Sequence, residues 1–257
     1  DLANDKSRAP MIRATALSLL QGYPTSSTFE TLKKNVKDAD PIIRAAAVES
    51  FAIVDVNERF PLIKGLLTDS VRLVRISAAR SLAAVANLSL SDKELLQTAT
   101  DEYKETQYIN ADHETALLNL AILALQQGDL EEAEKAYKKA IEIEPLFAHS
   151  YINLADLYRL QERESDAEKT LLSALAIDPD LAEIHHALGL TYVRQGQYER
   201  ALDYLKKAAE LSPETSHFTY VYAIALHSTS KTDAALDVLA DGLRRHPYDR
   251  DILFSLA

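Results

Sequence analysis

The residues best equipped for chemistry are seven histidines and a large set of carboxylates, in a chain that has no cysteine. His185 and His186 stand side by side in HHALGLTYVRQG, a pairing that raises metal ligation, haem ligation or general-base work. Spacing argues against each. Zinc hydrolases place two histidines one helical turn apart with a glutamate between them, and no such pair occurs here. Neighbouring residues on a helix diverge by about 100°, so the two rings do not readily share one metal. The absence of cysteine removes thiolate metal sites and covalent haem attachment from these residues. Glycines that cradle phosphate must cluster, whereas Gly22, Gly65, Gly128, Gly189, Gly196 and Gly242 are scattered. The expectation is therefore no catalytic residue, no metal and no cofactor in this stretch of chain.

Carboxylates crowd two phrases, GDLEEAEKAYKK and ERESDAEK. Both read as the start of a helix, where acids favour the N-terminus and point to solvent. A solvated face is the expectation, with a patch for a cation or basic partner as the alternative.

What must position these side chains is a helical framework. Alanine and leucine abound, tryptophan is absent and glycines number only six in 257 residues, a composition that favours an all-α chain. The formal charge of −11 is uneven: residues 1–100 carry 13 basic against 11 acidic side chains, and residues 101–257 carry 15 against 28. So acidic a second half repels phosphate backbones, which excludes nucleic acid as its partner. No apolar run approaches the roughly 20 residues that membrane insertion requires. Met11 is the only methionine in a chain that starts at Asp1, and the expectation is a piece of a longer protein.

Two repeat periods organise the chain. Arg13, Arg44 and Arg75 recur at a period of 31, with Asp38 and Asp69 each six positions before an arginine, and Ala16, Ala47 and Ala78 following in register. Pro145, Pro179, Pro213 and Pro247 are 34 apart. Small residues keep the same register: Ala121, Ala155, Gly189 and Ala223 at the eighth position; Ala133, Ala167, Ala201 and Ala235 at the twentieth; Ala140, Ala174, Ala208 and Gly242 at the twenty-seventh. They let antiparallel helices approach closely, and the proline ends the second helix. Between the arrays, a helix with a cap at Ser91 and Asp92 is expected to carry Leu95, Leu96, Ala99 and Tyr103 on one side.

The first period resembles the short HEAT repeat, which implies an Asp–Arg ladder between adjacent repeats. The second resembles the tetratricopeptide repeat. The fold class implied is an all-α solenoid of short HEAT-like hairpins followed by a tetratricopeptide superhelix. HEAT-like repeats are expected over 1–88, a bridging helix over 89–113, and four tetratricopeptide repeats with the start of a fifth hairpin over 114–257. In that fifth repeat Leu253, Leu256 and Ala257 take positions four, seven and eight.

The tetratricopeptide resemblance implies a partner-binding groove along the first helices. Here that groove is expected to be lined by Asn119, Ile122, Gln126, His149, Ile152, Asn153, Asp156, Arg159, Glu183, His186, Leu190, Arg194, His217, Tyr220 and Ile224, suited to a protein or peptide. Leu118, Ile122, Asn153, Glu183 and Ala187 stand where the chaperone-carboxylate clamp needs Lys, Asn, Asn, Lys and Arg, so that ligand is not expected. His185, at position four, is expected to be a partly buried spacer. His186, at position five, is expected to face the groove and to charge near pH 6.5.

The phrases NADHETALLNLA, NLADLYRL, HHALGLTYVRQG, YVYAIAL and HPYDRDIL, after IRATAL and IRAAAV, resemble the C-terminal half of bacterial multihaem cytochrome c proteins. That resemblance implies a periplasmic or extracytoplasmic location and a partner such as a redox protein or the haem domain of the parent chain. The alternative is a ligand- or chromophore-handling HEAT-repeat enzyme module, since short HEAT repeats occur in pigment-lyase-like proteins too.

Overall fold

The computed structural model describes residues 2–256 and is all helical, with fifteen α-helices among the described residues. They are α1 Pro10–Leu19, α2 Ser26–Asn35, α3 Pro41–Ser50, α4 Val56–Ile63, α5 Arg72–Leu82, α6 Leu90–Tyr108, α7 Glu114–Gln126, α8 Leu130–Ile143, α9 Ala148–Leu160, α10 Glu164–Ile177, α11 Ala182–Arg194, α12 Tyr198–Leu211, α13 Ser216–Ser228, α14 Thr232–Arg245 and α15 Arg250–Leu256. Two compact units divide the chain. One runs to Asp112 and takes in Asn119–Ala133; the other comprises His113–Leu118 and Glu134 onward.

In the first unit, α1, α3 and α5 pack side by side, and α6 continues the row. The reason lies in the alternation of small and branched residues. Ala47 and Ala78 are fully buried between helices, and Leu17, Ile43, Phe51, Ile63 and Leu82 fill the core around them. Proline at the first position of α1 and α3 starts each helix where an N–H is dispensable. The regularly spaced arginines form the expected ladder. Arg13 reaches Asp38 at 2.7 Å, and Arg44 grips Asp69 through two bonds of 2.9 and 2.8 Å. The third rung breaks the pattern: Arg75 pairs with Glu102 of α6, at 2.7 and 2.5 Å, not with an aspartate. The cap of α6 also differs from expectation. Ser89, two positions earlier than Ser91, accepts the Asp92 N–H at 3.2 Å. Leu95 is exposed rather than packed, while Ala99 and Tyr103 are buried.

In the second unit, helices alternate as hairpins α9/α10, α11/α12 and α13/α14. Ala155, Ala167, Ala174, Ala201, Ala208 and Ala223 are at most 1% exposed, so the small positions of the 34-residue register are where helices touch. Gly189 is tighter still: a Cβ there would lie 2.6 Å from Cγ and Cδ2 of Leu205. In α15, Ile252 is the buried anchor and Leu256 packs partly on the same cluster, whereas Leu253 and Phe254 are exposed. Ala257 lies outside the described residues.

The acidic phrases prove to be more than a solvated face. Tyr158 donates to Glu134 Oε1 at 3.1 Å, and one repeat later Tyr192 donates to Glu168 Oε1 at 2.9 Å. The second oxygen of each glutamate accepts from Arg163 at 2.7 Å and from Gln195 at 2.9 Å. Each of these glutamates therefore ties one hairpin to the next. Burial, with Glu168 adding to it, pushes the Tyr192 hydroxyl up to about 12, so it stays a donor.

Candidate groove and cavity

Helices α9, α11 and α13 are the first helices of successive hairpins and carry the larger part of the expected groove. His185 and His186 separate here as the helical geometry requires. His185 is 7% exposed, and its Nε2 donates to the Pro179 carbonyl at 2.7 Å, leaving Nδ1 bare. Tyr151, one repeat earlier, donates to the Pro145 carbonyl at 3.0 Å from the same position. His185 thus fills the place of a tyrosine that fastens the first helix to the preceding proline turn.

His186 lies on the groove side, with its ring centroid 4.8 Å from Phe218 and 5.4 Å from His217. Burial, then the nearby His217 and Arg159, push its pKa down to about 4. This corrects the expectation of charging near pH 6.5: the ring is a neutral, half-buried surface whose Nδ1 meets no partner. Below it, Arg159 is 14% exposed and paired with Asp156, while its Nη1 is buried and unpartnered. Burial, with Arg194 nearby, holds that guanidinium below its ordinary value. Arg194 stands 3.6 Å from Glu164, whose other oxygen, Oε2, is likewise buried without a partner. Leu190 and Ile224 border a cavity of about 150 Å3 with Val193, Tyr198, Leu205 and Val221, almost wholly apolar.

The remaining groove residues divide. Glu183 and His217 are exposed on the same face, and Asn153, Ile152 and Tyr220 are half-buried. His149 is exposed and stacks on Phe147 at 5.2 Å. Asn119, Ile122 and Gln126 belong to the first unit, where they line a cavity of about 190 Å3 with Glu49, Arg59 and Arg80. Arg59 and Arg80 were not anticipated. A signal existed for one of them, since Glu49 and Arg80 occupy the same place in successive repeats of the first period.

Hairpins stacked at a fixed period, small residues at every close approach and a side-chain-lined face on the first helices define a helical repeat protein. The tetratricopeptide repeat matches residues 79–146, 124–190 and 186–250, and HEAT repeats match residues 2–83. The chain belongs to the tetratricopeptide repeat family. No curated protein matches it. Among solved structures, the crystal structure of MamA aligns at 19% identity and TM-score 0.50, covering 63% of this chain and 97% of that one. MamA residues 41 to the end from Desulfovibrio magneticus RS-1 align at 16% identity and TM-score 0.51, covering 76% and 98%. YrrB, described as a TPR protein with an unusual peptide-binding site, aligns at 24% identity, TM-score 0.47, covering 59% and 78%.

Proposed function

We propose that this chain is a non-enzymatic repeat scaffold that holds a peptide segment of a protein partner on the face of α9, α11 and α13. The observation that carries the reading is the set of unpartnered buried polar atoms, Arg159 Nη1 of α9, His186 Nδ1 of α11 and Glu164 Oε2 at the start of α10, together with the apolar cavity bordered by Leu190 of α11 and Ile224 of α13. Buried polar atoms normally have partners, and a desolvated polar cluster beside an apolar hole is how a binding hot spot is built. An extended or helical peptide supplies both a backbone C=O and N–H for the open atoms and a side chain for the hole. The test is display selection of random peptides on the purified protein. Recovered peptides should lose binding at least tenfold with Arg159→Met and with Leu190→Asp; failure to recover any binder, or indifference to both substitutions, would sink the reading.

The phrases that resemble multihaem cytochrome c proteins support a finer proposal: an exported parent chain, a location outside the cytoplasm, and a redox protein or the parent's own haem domain as the partner. A full-length gene without haem-attachment motifs upstream would overturn it. The cavity of the first unit favours the second reading, a ligand-handling module, for which a stoichiometric small molecule retained through purification is the check.

A further inference from the structure

The first unit contains seven arginines from Arg8 to Arg80, and five of them meet a carboxylate: Arg8, Arg13, Arg44, Arg72 and Arg75 pair with Asp5, Asp38, Asp69, Glu105 and Glu102. The other two, Arg59 of α4 and Arg80 of α5, make no ion pair among the described residues, and both line the same 190 Å3 cavity. Arg59 gives Nη1 to the carbonyls of Phe51 and Val54 at 3.2 and 3.4 Å, long bonds, while its Nε is buried and meets nothing. Arg80 lies 5.8 Å above the ring of Tyr103. The carboxylate of the cavity wall, Glu49, is engaged by the Ser77 hydroxyl at 3.0 Å and by no cation. Asp55 lies close enough to act on the charge of Arg59, so the positive charge left uncompensated in this wall is that of Arg80.

We infer that this cavity is a binding site for a small organic carboxylate. A guanidinium matches the planar carboxylate with paired N–H donors, and the free fork of Arg80 provides them, with Arg59 in the same wall adding its positive charge. Gln126 and Asn119, whose Nδ2 also donates to Gln107 Oε1 at 3.0 Å, add amide groups to the lining, and Tyr103, Ile122 and Leu123 form an apolar wall for the carbon body. The space, 190 Å3, is small. Sites for drug-sized ligands begin at about 300 Å3, so this one selects an acid of few carbons. The inference does not depend on the groove of α9, α11 and α13.

The test uses the whole protein and butyrate as probe, with inorganic phosphate and chloride as the other arms, read by NMR shifts of the Arg59 Nε–H and the Asn119 side-chain amide. Butyrate should saturate with a Kd on the order of 1 mM, the range two charge-assisted bonds reach on an open site. Arg80→Gln, at an exposed position and checked for an unchanged helical spectrum, should weaken butyrate at least tenfold. Glu49→Gln should tighten it, because it removes the opposing charge of the cavity wall. A linear shift that chloride reproduces, unaltered binding in Arg80→Gln, or weaker binding in Glu49→Gln would each overturn the site; phosphate binding as tightly as butyrate would overturn its assignment to a carboxylate with a carbon body.

Discussion

Four turns join the paired helices of the 34-residue repeats, and in each the same residue sits in the left-handed region: Gly128 at φ 78°, Glu162 at 60°, Gly196 at 72° and Ser230 at 63°. The hydrogen bonds show why. The following N–H reaches back to close the helix, from Asp129 to Ala124, Arg163 to Tyr158, Gln197 to Tyr192 and Lys231 to Leu226, at 2.8 to 2.9 Å. That closure requires the left-handed residue between. A side chain there costs about 1–2 kcal/mol, and glycine gives back about 0.5–1 kcal/mol of that through its greater freedom when unfolded. Glu162 and Ser230 are exposed and their side chains make no hydrogen bond among the described residues, so nothing offsets the gain. Glu162→Gly and Ser230→Gly should therefore each stabilise by about 0.5–1 kcal/mol, and the reciprocal Gly196→Ser should destabilise by a similar amount. For a chain of this length that is about 1–4 °C in Tm per substitution. Thermal melts followed by circular dichroism measure it. If both glycine variants melt at or below the wild-type temperature, the strain reasoning is wrong.

Gly189→Ala should destabilise by about 1–3 kcal/mol, because the new methyl meets Leu205 at 2.6 Å in a filled core and the gain in helix propensity, about 1 kcal/mol, does not compensate; urea melts decide. Asp69→Asn leaves Arg44, 13% exposed, without its counter-charge and should cost about 3 kcal/mol. Hydrogen bonds from Arg44 hold the Asp69 carboxyl below its ordinary 3.8. A depressed carboxyl stabilises above its unfolded value and loses that contribution as pH falls through the folded one, so the acid limb below about pH 4 should be shallower in the variant. His185→Tyr should keep near wild-type stability by donating to the Pro179 carbonyl as Tyr151 does to Pro145, whereas His185→Leu should lose about 1–2 kcal/mol; equal melts for both would refute that role. His186 should titrate near pH 4 in an NMR pH series. Because the unfolded chain takes up that proton from pH 6.5 downward and the folded one refuses it, stability should fall between pH 6.5 and 4, less so in His186→Leu.

The repeat architecture was legible because close helix approach admits only alanine and glycine, and those residues recur at 31 and 34. The arginine ladder was legible for the same reason, except at its end. Glu102 lies 27 positions after Arg75, where the regular rungs lie 25 after theirs, and it belongs to a helix outside the period. The tyrosine–glutamate ties kept the 34-residue spacing at Glu134 and Glu168, Tyr158 and Tyr192, and were readable in principle; composition alone made those acids look like a solvated surface. The groove residues were assigned by position along a helix, which says which way a side chain points but not what it meets. The depressed titration of His186 comes from its burial and then from His217 and Arg159 on the neighbouring first helices, surroundings that no spacing within α11 contains.

Glu102 and Tyr103 are neighbours on α6 with different allegiances. Glu102 ends the arginine ladder of the 31-residue repeats, and Tyr103 packs with Ala83 and Leu123, the latter on α7, the first helix of the 34-residue register. A regular array satisfies each charged residue with a partner one repeat away. Where one period gives way to another, that pairing rule lapses for residues whose next-repeat partner no longer exists. Arg80 is such a residue: its predecessor at the same repeat position, Glu49, points to the same cavity, and no further repeat of this kind follows to supply an acid. Unspent charge at the change of period is thus a consequence of the architecture, and it accumulates where helices of both kinds leave a cavity between them.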